Sequence, residues 1–297
     1  MAGARRALVA GWCSFRGMGA TAGDVLARRA VCQWLERAGC PYDLASVLPG
    51  DDGISWETAD PDAYSHVIFV CGPFGNGEPV AEFLARFPRA RLVGMGLSML
   101  EPVDAWNPFD LLVERDSSRG ANPDLSFRAP GDLVPVVGVV LIPHQPEYGA
   151  RDRHGEVDAI VEELLGRRPM AAVRLDTELE ENRGGLRSPE EIESVIARMD
   201  AVITTRMHGM VLSIRRGVPP VAIDAVDGGG KVGRQAATIG WPACLPVEDL
   251  TVDRLQGWFE WCLTEEAREE TRRCAQRARD LLADAERRLL AEIAGGG

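Results

Sequence analysis

The chain has 297 residues, 45% of them hydrophobic, with a formal net charge of −12. The length suits two domains better than one core, and the hydrophobic share is that of a globular chain. So acidic a surface repels nucleic-acid phosphate and gives no attraction to an anionic membrane, so neither is an expected partner, and basic residues that hold an anion must be local exceptions.

Residues 8–11 predict a short buried strand. The apolar run there is too brief for a signal-peptide core. A glycine-rich loop leads into a helix over 24–38, where Val25, Leu26, Val31, Trp34 and Leu35 recur near helical spacing and Gly39 follows the end. Residues 42–47 and 66–71 read as strands, and the second runs into a Gly-Pro-Phe-Gly-Asn-Gly loop. A helix over 79–87 and a strand over 91–95 follow. Residues 102–131 read as irregular, which places the domain boundary between 131 and 132. Beyond it come strands over 133–142, 170–175, 201–205 and 220–224, alternating with helices over 155–165, 188–199, 207–216 and 232–239. Ser188 and Pro189 mark the start of one of these helices.

A long helix over 264–293 closes the chain. Its apolar stripe, Leu263, Ala267, Cys274, Ala278, Leu281, Leu282, Ala285, Leu289 and Ile293, is expected to pack against one domain, across both, or in a homodimer. No stretch is apolar enough to span a bilayer. Seven scattered cysteines without a C-x-x-C pair argue against a disulfide framework and a zinc site, and suit a reducing, cytoplasmic compartment.

Strands that end in glycine loops and alternate with helices imply parallel βαβ units, hence an α/β chain of two Rossmann-like lobes, 1–131 and 132–297. Open sheets of this kind bind ligands at the carboxyl ends of their strands, and a cleft between two such edges is the expected site.

The chemistry concentrates in 200–242. A strand ends in Thr204-Thr205-Arg206-Met207-His208-Gly209, where a helix begins. Helix N-terminal amides favour an anion, Arg206 offers a planar fork for carboxylate or phosphate, and His208 can donate a proton near neutral pH. The next strand leads to Gly228-Gly229-Gly230-Lys231, at the start of a second helix on the same sheet edge. Three basic groups and two helix N-termini then converge. The Gly-Gly-Gly-Lys run is not a phosphate-binding P-loop, because Ala225 stands where the first glycine belongs and Val232 replaces Ser/Thr. The Gly17, Gly19, Gly23 spacing misses the dinucleotide fingerprint. Each residue taken singly also has a structural reading: His208 as a satisfied histidine, Arg206 as a carbonyl cap, Lys231 as plain surface. His144 and Arg16 are further candidate contacts in loops. Asp24 can cap its own helix, 176–187 reads as a solvated loop or a mobile lid, and His66 and His154 read as structural.

The stretch DAVITTRMHGMVLSIRRGVPPVAID, followed by Lys231 and Gly-Trp-Pro, resembles the polysaccharide pyruvyl transferase family. The matching positions are Arg206, His208, Gly209, Gly217, Pro219 and Lys231, with Gly23 and Asp24 matching the family's opening Gly-Asp loop. Thr21-Ala22 stands where the family usually shows an asparagine, and Cys71-Gly-Pro-Phe replaces a run of glycines. Both departures lie in the lobe expected to help hold the acceptor. The resemblance implies a GT-B-like fold and transfer of pyruvyl from phosphoenolpyruvate to paired hydroxyls of a saccharide or similar polyol. His208 would be the general acid and Arg206 would act beside it. Lys231, Gly23, Asp24 and Gly209 would bind substrate, joined by the loop candidates Arg16 and His144. No metal or cofactor is implied, phosphoenolpyruvate being a donor substrate. Two other readings stand beside it, a GT-B glycosyltransferase with a nucleotide-sugar donor and a non-catalytic binding relative.

Overall fold

The computed structural model describes residues 5–143 and 145–295. The chain divides into two compact units, Met1–Asp132 and Leu133–Gly297.

Unit 1 runs β1 (Ala7–Gly11), α1 (Ala22–Arg37), β2 (Tyr42–Leu44), β3 (His66–Val70), β4 (Pro73–Phe74), α2 (Val80–Arg86), β5 (Arg91–Met99), β6 (Leu111–Ser117) and β7 (Gly120–Ala121). The strands lie in the order β2-β1-β3-β5-β6-β7, with β4 beside β5, and every pairing except β6–β7 is parallel. β1 is buried along its whole length, because both faces of the sheet are covered; this is why it reads as a continuous apolar run rather than an alternating one. On one face Ala27, Val31 and Cys32 of α1 meet Ala7, Val9, Ile68 and Val70. The other face carries an aromatic core of Phe15, Trp56, Phe69, Phe74, Phe83 and Phe87. Burying each such ring stabilises the fold by about 1.5–3 kcal/mol relative to exposure.

The stretch expected to be irregular, 102–131, instead contains β6, β7 and a 3-10 turn at Leu125–Arg128. β6 lies near the sheet margin, where backbone pairing with β5 suffices. Glu114, Arg115 and Asp116 are therefore tolerated in it, and they mask its strand pattern.

Unit 2 runs β8 (Val136–Val140), α3 (His154–Arg167), β9 (Ala171–Arg174), α4 (Pro189–Ile196), β10 (Ala201–Thr204), α5 (Met207–Arg215), β11 (Pro220–Asp224), α6 (Lys231–Ile239), β12 (Cys244–Pro246), α7 (Val252–Cys262) and α8 (Glu265–Gly295). Its all-parallel sheet has the order β12-β11-β10-β8-β9. The chain steps from β8 outward to β9, then returns to β10 on the other side. The crevice between the ends of β8 and β10 is therefore the topological switch point, the favoured ligand position in such sheets. The sequence reading had no element over 244–262. β12 is only three residues long, but α7 carried its signals: Thr251 accepts from the Arg254 amide at 3.2 Å, and Leu255, Phe259 and Cys262 recur on one buried face.

The apolar stripe of α8 packs only in part. Ala267 and Cys274 are fully buried, whereas Leu281, Leu282, Leu289 and Ile293 are 53%, 65%, 61% and 69% exposed. All seven cysteines are free. Among the described residues no helix is long and apolar enough to cross a membrane, and no group of three or more His, Cys, Asp or Glu is placed to hold a metal.

Candidate functional site

β10 delivers Thr204, Thr205 and Arg206 to the switch point of unit 2. Both threonines are buried and bind the exit of β8. Thr204 Oγ1 donates to the Val140 carbonyl at 2.9 Å, and Thr205 Oγ1 accepts from the Ile142 amide at 2.8 Å. These bonds fix the two lips of the crevice against each other. Thr204 Oγ1 also accepts the Arg206 amide at 2.9 Å, which turns the chain into α5. Arg206 is the N-cap in extended conformation, and its own side chain does not cap the helix. The start of α5 is pressed onto the strand: a Cβ at Gly209 would stand 2.3 Å from Thr204 Oγ1, so only glycine fits.

The Arg206 side chain is 21% exposed and faces a cavity of about 530 Å³. Its Nη2 lies 3.3 Å from Asp176 and 3.4 Å from Glu178, while its buried Nε has no hydrogen-bond partner among the described residues. The run 176–187 is thus not simply a solvated loop. Asn182 Nδ2 donates to the carbonyls of Asp176 and Glu178 at 3.0 and 2.7 Å, and its Oδ1 accepts from Gly184 and Leu186, so the loop is tied to itself and presents two carboxylates to Arg206. The same cavity is lined by Ile142, Pro143, Arg174 and Asp158. Asp158 Oδ1 is buried and likewise has no partner among the described residues. Burial pushes the Asp158 carboxyl above its ordinary value; the Glu162 charge adds to this while His154 and Arg174 oppose it. Sequence reasoning did not single out Asp158, and it read Asp176 and Glu178 only as part of a solvated loop or lid, since the approach of these two to Arg206 and the place of Asp158 on the cavity depend on packing around the sheet edge rather than on spacing.

His208 sits one residue inside α5 and is exposed. Lys231 opens α6 and is half-buried. β10 and β11 are parallel neighbours, so Arg206, His208 and Lys231 do lie at one carboxyl edge. Among the described residues, however, neither His208 nor Lys231 lines the cavity that Arg206 faces. The second expected helix N-terminus is already taken. Asp224, 2% exposed, accepts from the amides of Gly230 and Gly233 at 2.7 and 2.8 Å. An internal carboxylate therefore holds the anion position of α6, and the site has one open helix start rather than two.

His144 lies outside the described residues. His154 is buried and its Nδ1 lies 2.7 Å from Asp152 Oδ1. Burial would raise the Asp152 carboxyl, but the His154 amide, the His154 ring and the Gln145 amide together hold it well below the usual carboxylate range.

In unit 1, Asp24 closes its own helix. Its Oδ2 accepts from Thr21 N at 2.7 Å and from Thr21 Oγ1 at 2.8 Å, with Gly23 inside the same first turn. Arg16 is exposed and lines a separate cavity of about 650 Å³ with Trp56, Glu57 and Glu78. The crevice between β1 and β3 is filled by Trp12, whose Nε1 donates to the Pro73 carbonyl at 2.9 Å. Cys71, where the resemblance would have placed a glycine, has φ 65, so the glycine-like backbone turn persists without the glycine.

Residues 137–225 match the model of the polysaccharide pyruvyl transferase family. No curated protein matches the chain. Among solved structures, the calicheamicin glycosyltransferase CalG4 is similar at 14% identity and TM-score 0.36, over 98% of each chain. The spinosyn rhamnosyltransferase SpnG is similar at 10% identity and TM-score 0.33, over 92% of this chain and 95% of that one. A UDP-GlcNAc 2-epimerase from Methanocaldococcus jannaschii is similar at 10% identity and TM-score 0.33, over 94% of this chain and 99% of that one. The segment from β8 to the loop after β11, which holds Arg206, His208 and Gly209, carries the polysaccharide pyruvyl transferase family match, and that match supports a transferase.

Proposed function

We propose that the chain transfers pyruvyl from phosphoenolpyruvate to paired hydroxyls of a saccharide-like acceptor, forming a ketal and releasing phosphate. The observation that carries this reading is Arg206: it stands at the switch point of the family-matched segment, as a helix N-cap whose side chain does not cap, with a buried Nε that lacks a partner among the described residues. A carboxylate or phosphate oxygen entering the cavity pairs with the guanidinium and replaces Asp176 and Glu178 as counter-anion of its Nη2.

The donor's methylene carbon must gain a proton before an alcohol oxygen can add to the neighbouring carbon. His208, exposed at the head of α5, supplies it. Phosphate leaves with the bridging oxygen, and the second hydroxyl closes the ketal at the same carbon. Arg206 and Lys231 stabilise charge on the leaving group. Each hydroxyl gives up one proton. Asp158, a desolvated carboxyl on the Arg206 cavity with an oxygen that has no partner among the described residues, takes the attacking hydroxyl's proton, which leaves with phosphate, and the second hydroxyl's proton returns to His208.

Calorimetric titration with phosphoenolpyruvate, with UDP as parallel ligand, tests the reading. Phosphoenolpyruvate is expected to bind, and Arg206→Ala to weaken it by roughly ten- to hundredfold, the worth of a charge-assisted pair. UDP binding without phosphoenolpyruvate binding favours a glycosyltransferase and overturns the proposal. Full ketal-forming activity in His208→Ala removes His208 as the acid.

A further inference from the structure

Helix α8 carries an apolar face beyond the point where unit 2 covers it. Ala267, Thr271 and Cys274 are fully buried, and the Arg277 guanidinium donates to the Ile239 carbonyl at 2.5 Å. Ala278 is half-buried against the unit 2 core, and past it the same face continues through Leu281, Leu282, Ala285, Leu289 and Ile293. The four large residues among these are more than half exposed. At about 1.5 Å per residue this stretch reaches roughly 24 Å. A helix segment of that length gains little from propensity alone, and large apolar side chains aligned on one face mark a partner surface.

We propose that residues 278–293 bind the same stretch of a second copy of this chain in antiparallel orientation. The seam Ala278, Leu282, Ala285, Leu289 alternates spacings of four and three, which is the pattern of a coiled-coil seam. Run antiparallel about a dyad between Ala283 and Asp284, the seam sets Ala278 opposite Leu289 and Leu282 opposite Ala285. Every layer then matches a small residue with a large one and packs at even thickness. A parallel pair in register sets alanine on alanine and leucine on leucine, and brings Leu281 beside Glu286.

Charge agrees with the antiparallel choice. Arg279 comes to flank Glu286 of the second copy, twice per pair. Within one chain the Arg279 guanidinium donates to Gln276 on its own helix, at 2.7 Å. Leu281 lies along the stem of Arg288 of the copy, so its apolar surface is covered by methylenes while the charge stays in water.

Light scattering and sedimentation equilibrium on the full chain test this. The expected mass is twice 32.2 kDa. Leu282→Glu with Leu289→Glu is expected to give a monomer with unchanged helix content, because both residues are exposed in the single chain. Arg279→Glu or Glu286→Arg alone is expected to raise the dissociation constant roughly fivefold, and the two exchanged together to restore it. A monomeric wild-type protein at every concentration overturns the proposal. So does a dimer that survives the two leucine changes. Failure of the double exchange to restore affinity overturns the antiparallel register.

Discussion

The two units share one plan and treat its key position in opposite ways. In each, the chain steps from the first strand to one side and later returns to the other, which leaves a crevice at the carboxyl ends of two adjacent parallel strands. In unit 1 that crevice, between β1 and β3, is plugged by the Trp12 indole, and α1 is closed by the Thr21–Asp24 capping box. In unit 2 the crevice between β8 and β10 stays open onto a cavity, and α5 starts at an arginine whose side chain does not cap it. A shared topology thus supplies the position, and a few side chains decide whether it becomes core or site.

Four substitutions put that contrast to the test. The largest effect belongs to Gly72→Ala. Its Cβ would meet Trp12 Cδ1 at 2.1 Å on a backbone with φ 85, so thermal melting is expected to show a loss of about 3 kcal/mol. Phosphoenolpyruvate affinity should be untouched; a parallel loss would mean that unit 1's crevice takes part in donor binding.

Next is Gly209→Ala, which forces α5 off Thr204 and Val140. It is expected to cost about 2 kcal/mol of stability and to weaken phosphoenolpyruvate about tenfold, read by melting and calorimetry together.

A smaller, pH-dependent change is expected of Asp152→Asn. The native carboxyl titrates below its unfolded value of 3.8, so its ionised form contributes stability that is present above that pH and lost as pH falls below it. The variant should melt lower at neutral pH and show a flatter decline in acid.

Smallest is Glu178→Gln. Removing one of the two internal counter-anions of Arg206 should tighten phosphoenolpyruvate roughly two- to fivefold, as for a partly exposed ion pair. Weaker binding would show that Glu178 orients Arg206 rather than competes for it.

Much of this was legible from residues alone. The strands of both sheets that lie under helices on both faces appeared as unbroken apolar runs, and Ser188, Pro189 and Gly39 marked helix ends through local chemistry. β6 was not legible, because a strand near a sheet margin needs no apolar pattern. Nor was the end of packing along α8. A stripe of leucines shows that a helix has a face to cover, and what covers each turn is set by neighbours distant in the chain.

At the site the division is similar. Residue order alone places Arg206, His208 and Lys231 after strands of one parallel sheet, since spacing and the βαβ pattern require it. Tertiary structure alone decided that Asp224 occupies the start of α6, that Asp176 and Glu178 reach Arg206, and that Asp158 faces the same cavity. Those contacts join segments from 20 to 50 residues apart or close within a loop, and their geometry comes from how helices and strand ends pack, which no local pattern encodes.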